Sequence, residues 1–435
     1  MSDVVKIGIA GLGTIGSGVI KSLLRNKSEL EKKFKFQFEI LGISASSKDK
    51  ERSFDVDQFT WFDKPIDLAK DSNIDLVIEL IGGDSGVAYD LAFESIKNKK
   101  GFITANKALI SSHGKELSKL SESSNSFIGY EAAVAGGIPV IKTLRSGVIL
   151  DKIDGVYGIL NGTSNFILSR MSEANKSFED ALLEAQNLGY AEADPSFDIN
   201  GLDAAHKLSI INSLCFAEFP SLESISIKGI EDILTLDHKY AQEFGYNIKL
   251  IASSSNKGGN LRKEVAPTLV KIESSLGTVS NVSNVVCITT EYNGTLVLEG
   301  EGAGEGPTSS SVLSDVVDYS MNTRNYLFNK KSSDLSDPIV NKDLIERCYY
   351  LRVFLADQKG AMSNLTSILG KNGISIDQVI QRGGVHLKDE KNFTPVIMIT
   401  HPVDSDSIDS AFSELIKTDL ISMDPIFLPV LKDNL

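Results

Sequence analysis

The sequence predicts an α/β protein: a doubly wound parallel sheet, then an α+β segment with a sheet of its own, then a small ferredoxin-like unit. Three observations carry that prediction. Short apolar runs alternate with helical or polar crossovers through the first third of the chain, the pattern of a parallel sheet. A glycine triplet stands between the first of those runs and a helix. From Cys348 onward the order reads strand, helix, strand, strand, helix, strand.

Taken in order, Val4 to Ala10 is an apolar run that reads as a buried parallel strand. Gly11-Leu12-Gly13-Thr14-Ile15-Gly16 follows, and Val19, Ile20, Leu23 and Leu24 then repeat at helical spacing. The next strands are Phe38 to Ile43, Asp75 to Ile81, Phe102 to Thr104 and Phe127 to Tyr130, separated by helical or polar segments such as 89–98. Beyond about Ala135 the rhythm changes. Helical periodicity runs over 178–188, 202–215 and 230–244, and strand-like stretches return at 248–252, 261–270, 285–291 and 295–299. The polar stretch 329–338 reads as a linker. In the last unit the strands are 349–356, 374–380, 394–400 and 425–431, and the helices 361–371 and 408–417. The expected division is therefore 1–135, 136–340 and 348–435, with a helix near 308–320 returning to the first part.

Composition excludes several classes. At ~150 residues per domain, length sets an expectation of about three domains. With 42% hydrophobic and 23% charged residues the chain is globular rather than disordered. Its 58 acidic against 44 basic side chains give a formal charge of -14, which repels phosphate backbones and anionic bilayers. Neither a nucleic acid nor a membrane is an expected partner. Cys215, Cys287 and Cys348 lie far apart, and His113, His206, His238, His386 and His401 have no metal-ligand spacing. Together with the absence of a ~20-residue apolar run and of a signal-peptide layout, this leads us to expect a protein of the reducing cytoplasm.

The glycine triplet has a physical reading. Gly11 permits a tight turn, Gly13 lets the backbone approach a pyrophosphate, and Gly16 lets helix and strand pack closely. The helix start offers N–H groups and partial positive charge to the phosphates. The expected cofactor is NADP or NAD. After the second strand come Ser44, Ala45, Ser46, Ser47 and Lys48, with no acid to hold a ribose 2′-hydroxyl, so NADP is the expected preference.

Further along, Asp203 and Lys207 are four apart on a helix and share a face that continues into Ile210 and Leu214. An exposed pair of this kind is worth a few tenths of a kcal/mol and needs no function. On an apolar, core-facing stripe close after Glu192, such a lysine is instead held between desolvation and neighbouring carboxylates and is suited to proton exchange. Oxidising an alcohol requires that exchange as hydride leaves carbon. His206 points about 100° away from Lys207 and reads as a packing residue.

Several segments then converge on one family. They are Thr104-Ala105-Asn106-Lys107, the run from Tyr130 to Pro139, Gly158 to Asn165, Leu188 to Pro195, Asp198 to Lys207 and Gly300 to Gly304. Together they resemble homoserine dehydrogenase, in the form without a fused kinase and with a C-terminal ACT regulatory domain. The resemblance implies a Rossmann-type dinucleotide domain, a substrate and dimerisation domain, and interconversion of L-homoserine and L-aspartate 4-semialdehyde with NAD(P), in the pathway to threonine, methionine and isoleucine. It assigns proton transfer to Lys207, assistance and cofactor contact to Lys107, and substrate binding to Glu192 and Asp203. It places cofactor contacts at Leu12, Gly13, Thr14, Ile15, Gly83, Ala105, Gly189 and Gly302, beside Gly11 and Gly16. It places a monovalent cation, sodium, at Glu131, Val134, Gly136 and Ile138. A homodimer or homotetramer and threonine as effector are also implied. Where the family carries Asp-x-Pro-Gly after the first ACT strand, this chain has Asp357-Gln358-Lys359-Gly360, losing the proline and retaining the glycine. The competing readings are another NAD(P)-dependent dehydrogenase of amino-acid metabolism and a non-catalytic sensor of dinucleotide or amino acid. The sensor has no need of the Asp203–Lys207 pair.

Overall fold

The computed structural model describes residues 4–323, 325–338, 345–382 and 392–432; His386 lies outside them. The chain forms two compact units. One holds Met1–Ile153, Asp203–Ile225 and Thr290–Ile339; the other holds Asp154–Leu202, Ser226–Thr289 and Val340–Leu435.

The first unit begins with β1 (Val4–Ala10), α1 (Thr14–Phe34), β2 (Gln37–Ser44), β3 (Thr60–Trp61) and α2 (Pro65–Lys70). It continues with β4 (Leu76–Glu79), α3 (Val87–Lys97), β5 (Gly101–Thr104), α4 (Lys107–Ser124) and β6 (Ile128–Gly129). The strands pair in parallel in the order β3-β2-β1-β4-β5-β6. The chain winds outward from β1 to β3, then crosses back to β4, so the reversal lies between β1 and β4. Ligands of such sheets bind outside the carboxyl ends of the strands at that reversal.

Sequence explains the core. The strand isoleucines Ile7, Ile9, Ile43, Ile78 and Ile103 bury completely, and Val19, Ile20 and Leu23 of α1 cover them. Each such side chain contributes ~1.5–3 kcal/mol by leaving water. Leu24, which shares the predicted spacing, is instead 41% exposed, because the buried stripe is only one residue wide there. The helix Glu305–Ser320 sends Val312 and Val316 into the same core. It crosses α1 at Gly18, where an added Cβ would lie 2.3 Å from Glu305 Cγ.

The stretch 329–338 is not a free tether. Leu335 within it and Leu327 and Phe328 just before it bury their apolar side chains, and Ser332 donates its N–H to Glu122 at 2.6 Å. Ser336 pairs through its backbone with Ala217 and Phe219 at 3.1 and 2.9 Å. Its polar composition resembled a linker, yet Ser332 bonds the Glu122 carboxylate and Ser336 bonds backbone instead of solvent.

The second unit is built on a mixed sheet. Its strands run in the order Ser283–Thr290, Ile153–Ile159, Tyr246–Lys257, Asn260–Lys271, Ile426–Leu431, Cys348–Ala356, Phe393–Thr400 and Ile376–Gln381. The last four, with helices Ala361–Lys371 and Ser405–Leu415 interposed, give the order strand, helix, strand, strand, helix, strand and a 4-1-3-2 sheet. That sheet joins the preceding one through two residue pairs, Leu269 with Val430 and Val270 with Leu431. Beside the join, buried Asp237 accepts a hydroxyl bond from Tyr350 at 2.8 Å and an ion pair from Arg352. No helix among the described residues is long and apolar enough to cross a membrane.

Candidate active site

The glycine-rich turn sits at the sheet's reversal, and each glycine has a separate reason to be there. Gly11 has φ +94° and no room for a side chain, since a Cβ would lie 2.4 Å from the Leu80 carbonyl. A Cβ on Gly16 would lie 1.8 Å from the Gly11 carbonyl, so helix and strand approach only without one. A Cβ on Gly13 meets nothing within 4 Å, which leaves its backbone open to a ligand. Gly13 also caps α1 without a side-chain bond, so Thr14, Ile15 and Gly16 begin a helix whose first turn carries no acid. Leu12 is buried beneath the turn. This is a fit for a pyrophosphate on open backbone at a positive helix end.

Opposite the turn, the carboxyl ends of β4 and β5 bring Gly83, Ala105 and Lys107 close in the fold. Asn106 caps α4 by accepting the Leu109 N–H and donates its side-chain amide to the Gly83 carbonyl. Lys107 is the first residue of that helix. Its ammonium lies 3.0 Å from Asp203 Oδ1, while Lys207 reaches Asp203 Oδ2 at 2.7 Å. One carboxylate, 7% exposed, thus holds two lysines from different helices, and Lys207 itself is only 12% exposed. The helix Leu202–Phe216 presents this pair because Gly201, at φ +82°, turns the chain immediately before it. His206 is buried on the adjacent face with Nδ1 bonded to Ser111 of α4. Burial, helped by the Lys107 charge, lowers its pKa below the ordinary imidazole value.

The segment after β6 is irregular and buried. Glu131, Val134 and Ile138 are all at or below 2% exposed, and Ala135 and Gly136 take positive φ. A Cβ on Gly136 would lie 2.5 Å from the Gly302 carbonyl, which brings those two residues together. The Glu131 carboxylate accepts N–H groups from Ile141 and Lys142 at 3.0 and 2.9 Å. Asp315 accepts the Glu131 N–H at 2.9 Å. Burial, reinforced by Asp315, pushes Glu131 up to about 8, and burial pushes Asp315 up to about 7.

Gly189 and Glu192 belong to the second unit. There the turn 188–194 is exposed except for buried Ala191, with Gly189 at φ +76° and Glu192 at the surface. The Tyr190 carbonyl accepts from Thr163 at 2.7 Å, and Asn161 donates to Asp198 at 2.7 Å. The motifs 158–165 and 188–198 are therefore one locally packed cluster.

Three functional-looking residues escape a reading of the sequence. Arg52 folds back over the loop after β2, donating to the Ser47, Lys48 and Lys50 carbonyls at 2.6, 3.1 and 2.8 Å, with its guanidinium 5.9 Å over Trp61. Lys48 is ion-paired with Asp57 at 2.9 Å. The spacing of Lys48 and Arg52 in a serine-rich loop was the available signal. Glu79 and Asp315 are carboxylates at core positions of a strand and a helix, and each has a partner distant in sequence, Thr104 and Glu131 respectively.

Comparison with known proteins identifies the family. Residues 11–131 match the family profile "Homoserine dehydrogenase, NAD binding domain" and residues 139–317 match "Homoserine dehydrogenase". The homoserine dehydrogenase of Pseudomonas aeruginosa is 37% identical over 418 residues, covering 94% of this chain and 95% of its own. That of Neisseria gonorrhoeae is 35% identical over 424 residues, covering 96% of each. A crystal structure of a homoserine dehydrogenase from Thiobacillus denitrificans superposes with a TM-score of 0.90 at 33% identity over 99% of both chains. A nicotinamide-dinucleotide turn at the sheet reversal, a lysine pair on one carboxylate and this full-length likeness lead to one conclusion: the chain belongs to the homoserine dehydrogenase family, oxidoreductases that interconvert L-homoserine and L-aspartate 4-semialdehyde.

Proposed function

We propose that Lys207 takes the hydroxyl proton when homoserine is oxidised and returns it when the semialdehyde is reduced. The observation that supports this is the single carboxylate of Asp203 engaging both Lys207 and Lys107. A lysine tethered in this way keeps its ammonium in one place and can pass a proton without losing its position. Asp203 and Glu192 bind the substrate ammonium, and Lys107 contacts the cofactor and assists the transfer. The dinucleotide, when bound, supplies or accepts the hydride. Gly11 to Gly16, Gly83, Ala105, Gly189 and Gly302 form its bed. Lys207→Ala should keep dinucleotide binding and lose at least ~100-fold in kcat. Near-normal turnover of homoserine by that variant refutes the assignment.

NADP is the preferred cofactor in this reading. The support is Arg52, Ser46, Ser47 and Lys48 at the end of β2, where a dinucleotide's ribose lies and where an NAD site carries an acid.

A monovalent cation, sodium, fits the segment Glu131, Val134, Gly136 and Ile138. Two buried carboxylates, Glu131 and Asp315, stand there with their pKa values pushed up, a condition a neighbouring cation relieves. The ligands we assign are the Glu131 carboxylate and main-chain carbonyls of this segment. The C-terminal segment acts as an ACT regulatory unit with threonine as effector, in a cytoplasmic homodimer or homotetramer. Its 4-1-3-2 strand order and the absence of any disulfide among the three cysteines support that part of the reading.

A further inference from the structure

Glu79 is the last residue of β4, lies at the reversal of the sheet, and is completely buried. Its Oε1 accepts the N–H groups of Ile81 and Gly82 at 2.6 and 2.9 Å, and its Oε2 accepts the Thr104 hydroxyl at 2.6 Å. The Thr104 oxygen in turn accepts the Asn106 N–H at 2.8 Å. Asn106 completes the circuit through the Gly83 carbonyl at 2.5 Å and the Leu109 N–H at 3.1 Å. One carboxylate therefore fixes the turn 81–83 on one side and the start of α4, where Lys107 stands, on the other. The same turn packs on Gly11, since Leu80 donates its N–H to Ala10 at 2.8 Å.

An apolar residue is the ordinary occupant of a parallel strand covered on both faces, and burying a carboxylate there costs desolvation. What the carboxylate supplies is acceptors only. Three donors converge on it, and a glutamine keeps one oxygen for the two N–H groups but turns an amide toward the Thr104 hydroxyl, which must then reverse from donor to acceptor. We propose that Glu79 is a positioning residue of the reaction: it holds the turn that contacts the cofactor and the helix start that carries Lys107 in one fixed relation. This rests on the roles given above to Gly83 and Lys107. It makes no contact with the reacting atoms.

The test uses the full-length protein and three variants, with NADPH binding followed by fluorescence and turnover by absorbance. Glu79→Gln should raise the NADPH Kd about tenfold and lower kcat, while the KM for homoserine moves by less than about twofold. Thr104→Val severs only the α4 arm, so it should lower kcat about tenfold with NADPH Kd nearly unchanged, and Thr104→Ser should restore kcat. A purely structural role moves the melting temperature without this split between Kd and kcat. A folded Glu79→Gln protein with wild-type Kd and kcat overturns the proposal. If that variant does not fold, wild-type kcat in Thr104→Val overturns it instead. Failure of the wild-type chain to oxidise homoserine sinks the reading of the site, and the Kd comparison then still judges Glu79 separately.

Discussion

At the scale of single residues, the site depends on charged groups placed where their partners are few and fixed. Arg52 is the clearest case outside the lysine pair. Its guanidinium is held by three loop carbonyls and by the Trp61 face, so it needs no reorganisation to meet an anion. A charge-assisted hydrogen bond of this kind is worth ~1.5–3 kcal/mol, about ten- to a hundredfold in affinity. Arg52→Ala should therefore raise the KM for NADP by about tenfold or more and leave the KM for NAD within about twofold. Parallel kinetics with the two cofactors measure this; an equal rise for both sinks the role in 2′-phosphate recognition. Arg52 was hidden in the sequence because its partners are backbone carbonyls, which leave no trace in residue type.

At the scale of elements, helices and strands bring together groups that titrate because they are buried. His238, on the helix Thr235–Glu243, is 3% exposed, and burial, with a smaller push from the Lys249 charge, lowers its pKa to about 3. The unfolded chain holds this imidazole near its ordinary 6.5, so between 6.5 and 3 the unfolded state binds a proton that the folded state refuses. Its contribution is complete above pH 6.5 and is lost as pH falls toward 3. His238→Gln should thus remove roughly 2 kcal/mol of the stability difference between pH 7 and pH 4.5. Urea unfolding of both proteins at the two pH values checks it, and an undiminished acid loss in the variant counts against the burial argument. Element types were largely legible, since periodicity and glycine context report local geometry. The boundary at 329–338 was not, because burial of Leu327, Phe328 and Leu335 depends on what they pack against.

At the scale of the whole molecule, the C-terminal strands are joined to the strands of 153–290 within one unit. Two backbone pairs make that join, and the buried Asp237–Arg352–Tyr350 cluster stands beside it. Removing one partner of a buried ion pair leaves the other charge desolvated, at a cost of ~3–5 kcal/mol. Asp237→Ala should lower the unfolding free energy by about that amount. Pairing it with Arg352→Met should recover most of the loss, because the stranded guanidinium is then gone. Chemical denaturation of the single and double variants decides this, and a loss below ~1 kcal/mol in the single variant contradicts it.

What the sequence determined by itself was whatever is local or carried by motif: the parallel strands around Gly11 to Gly16, the helix bearing Asp203 and Lys207, the order of elements along the last unit and the family. What only the tertiary structure decided was which distant groups meet. Lys107 shares Asp203 with Lys207, Glu79 bonds Thr104, and Glu131 faces Asp315. Periodicity records which face of an element avoids water, whereas hydrogen bonds between elements depend on register and packing that no local pattern encodes.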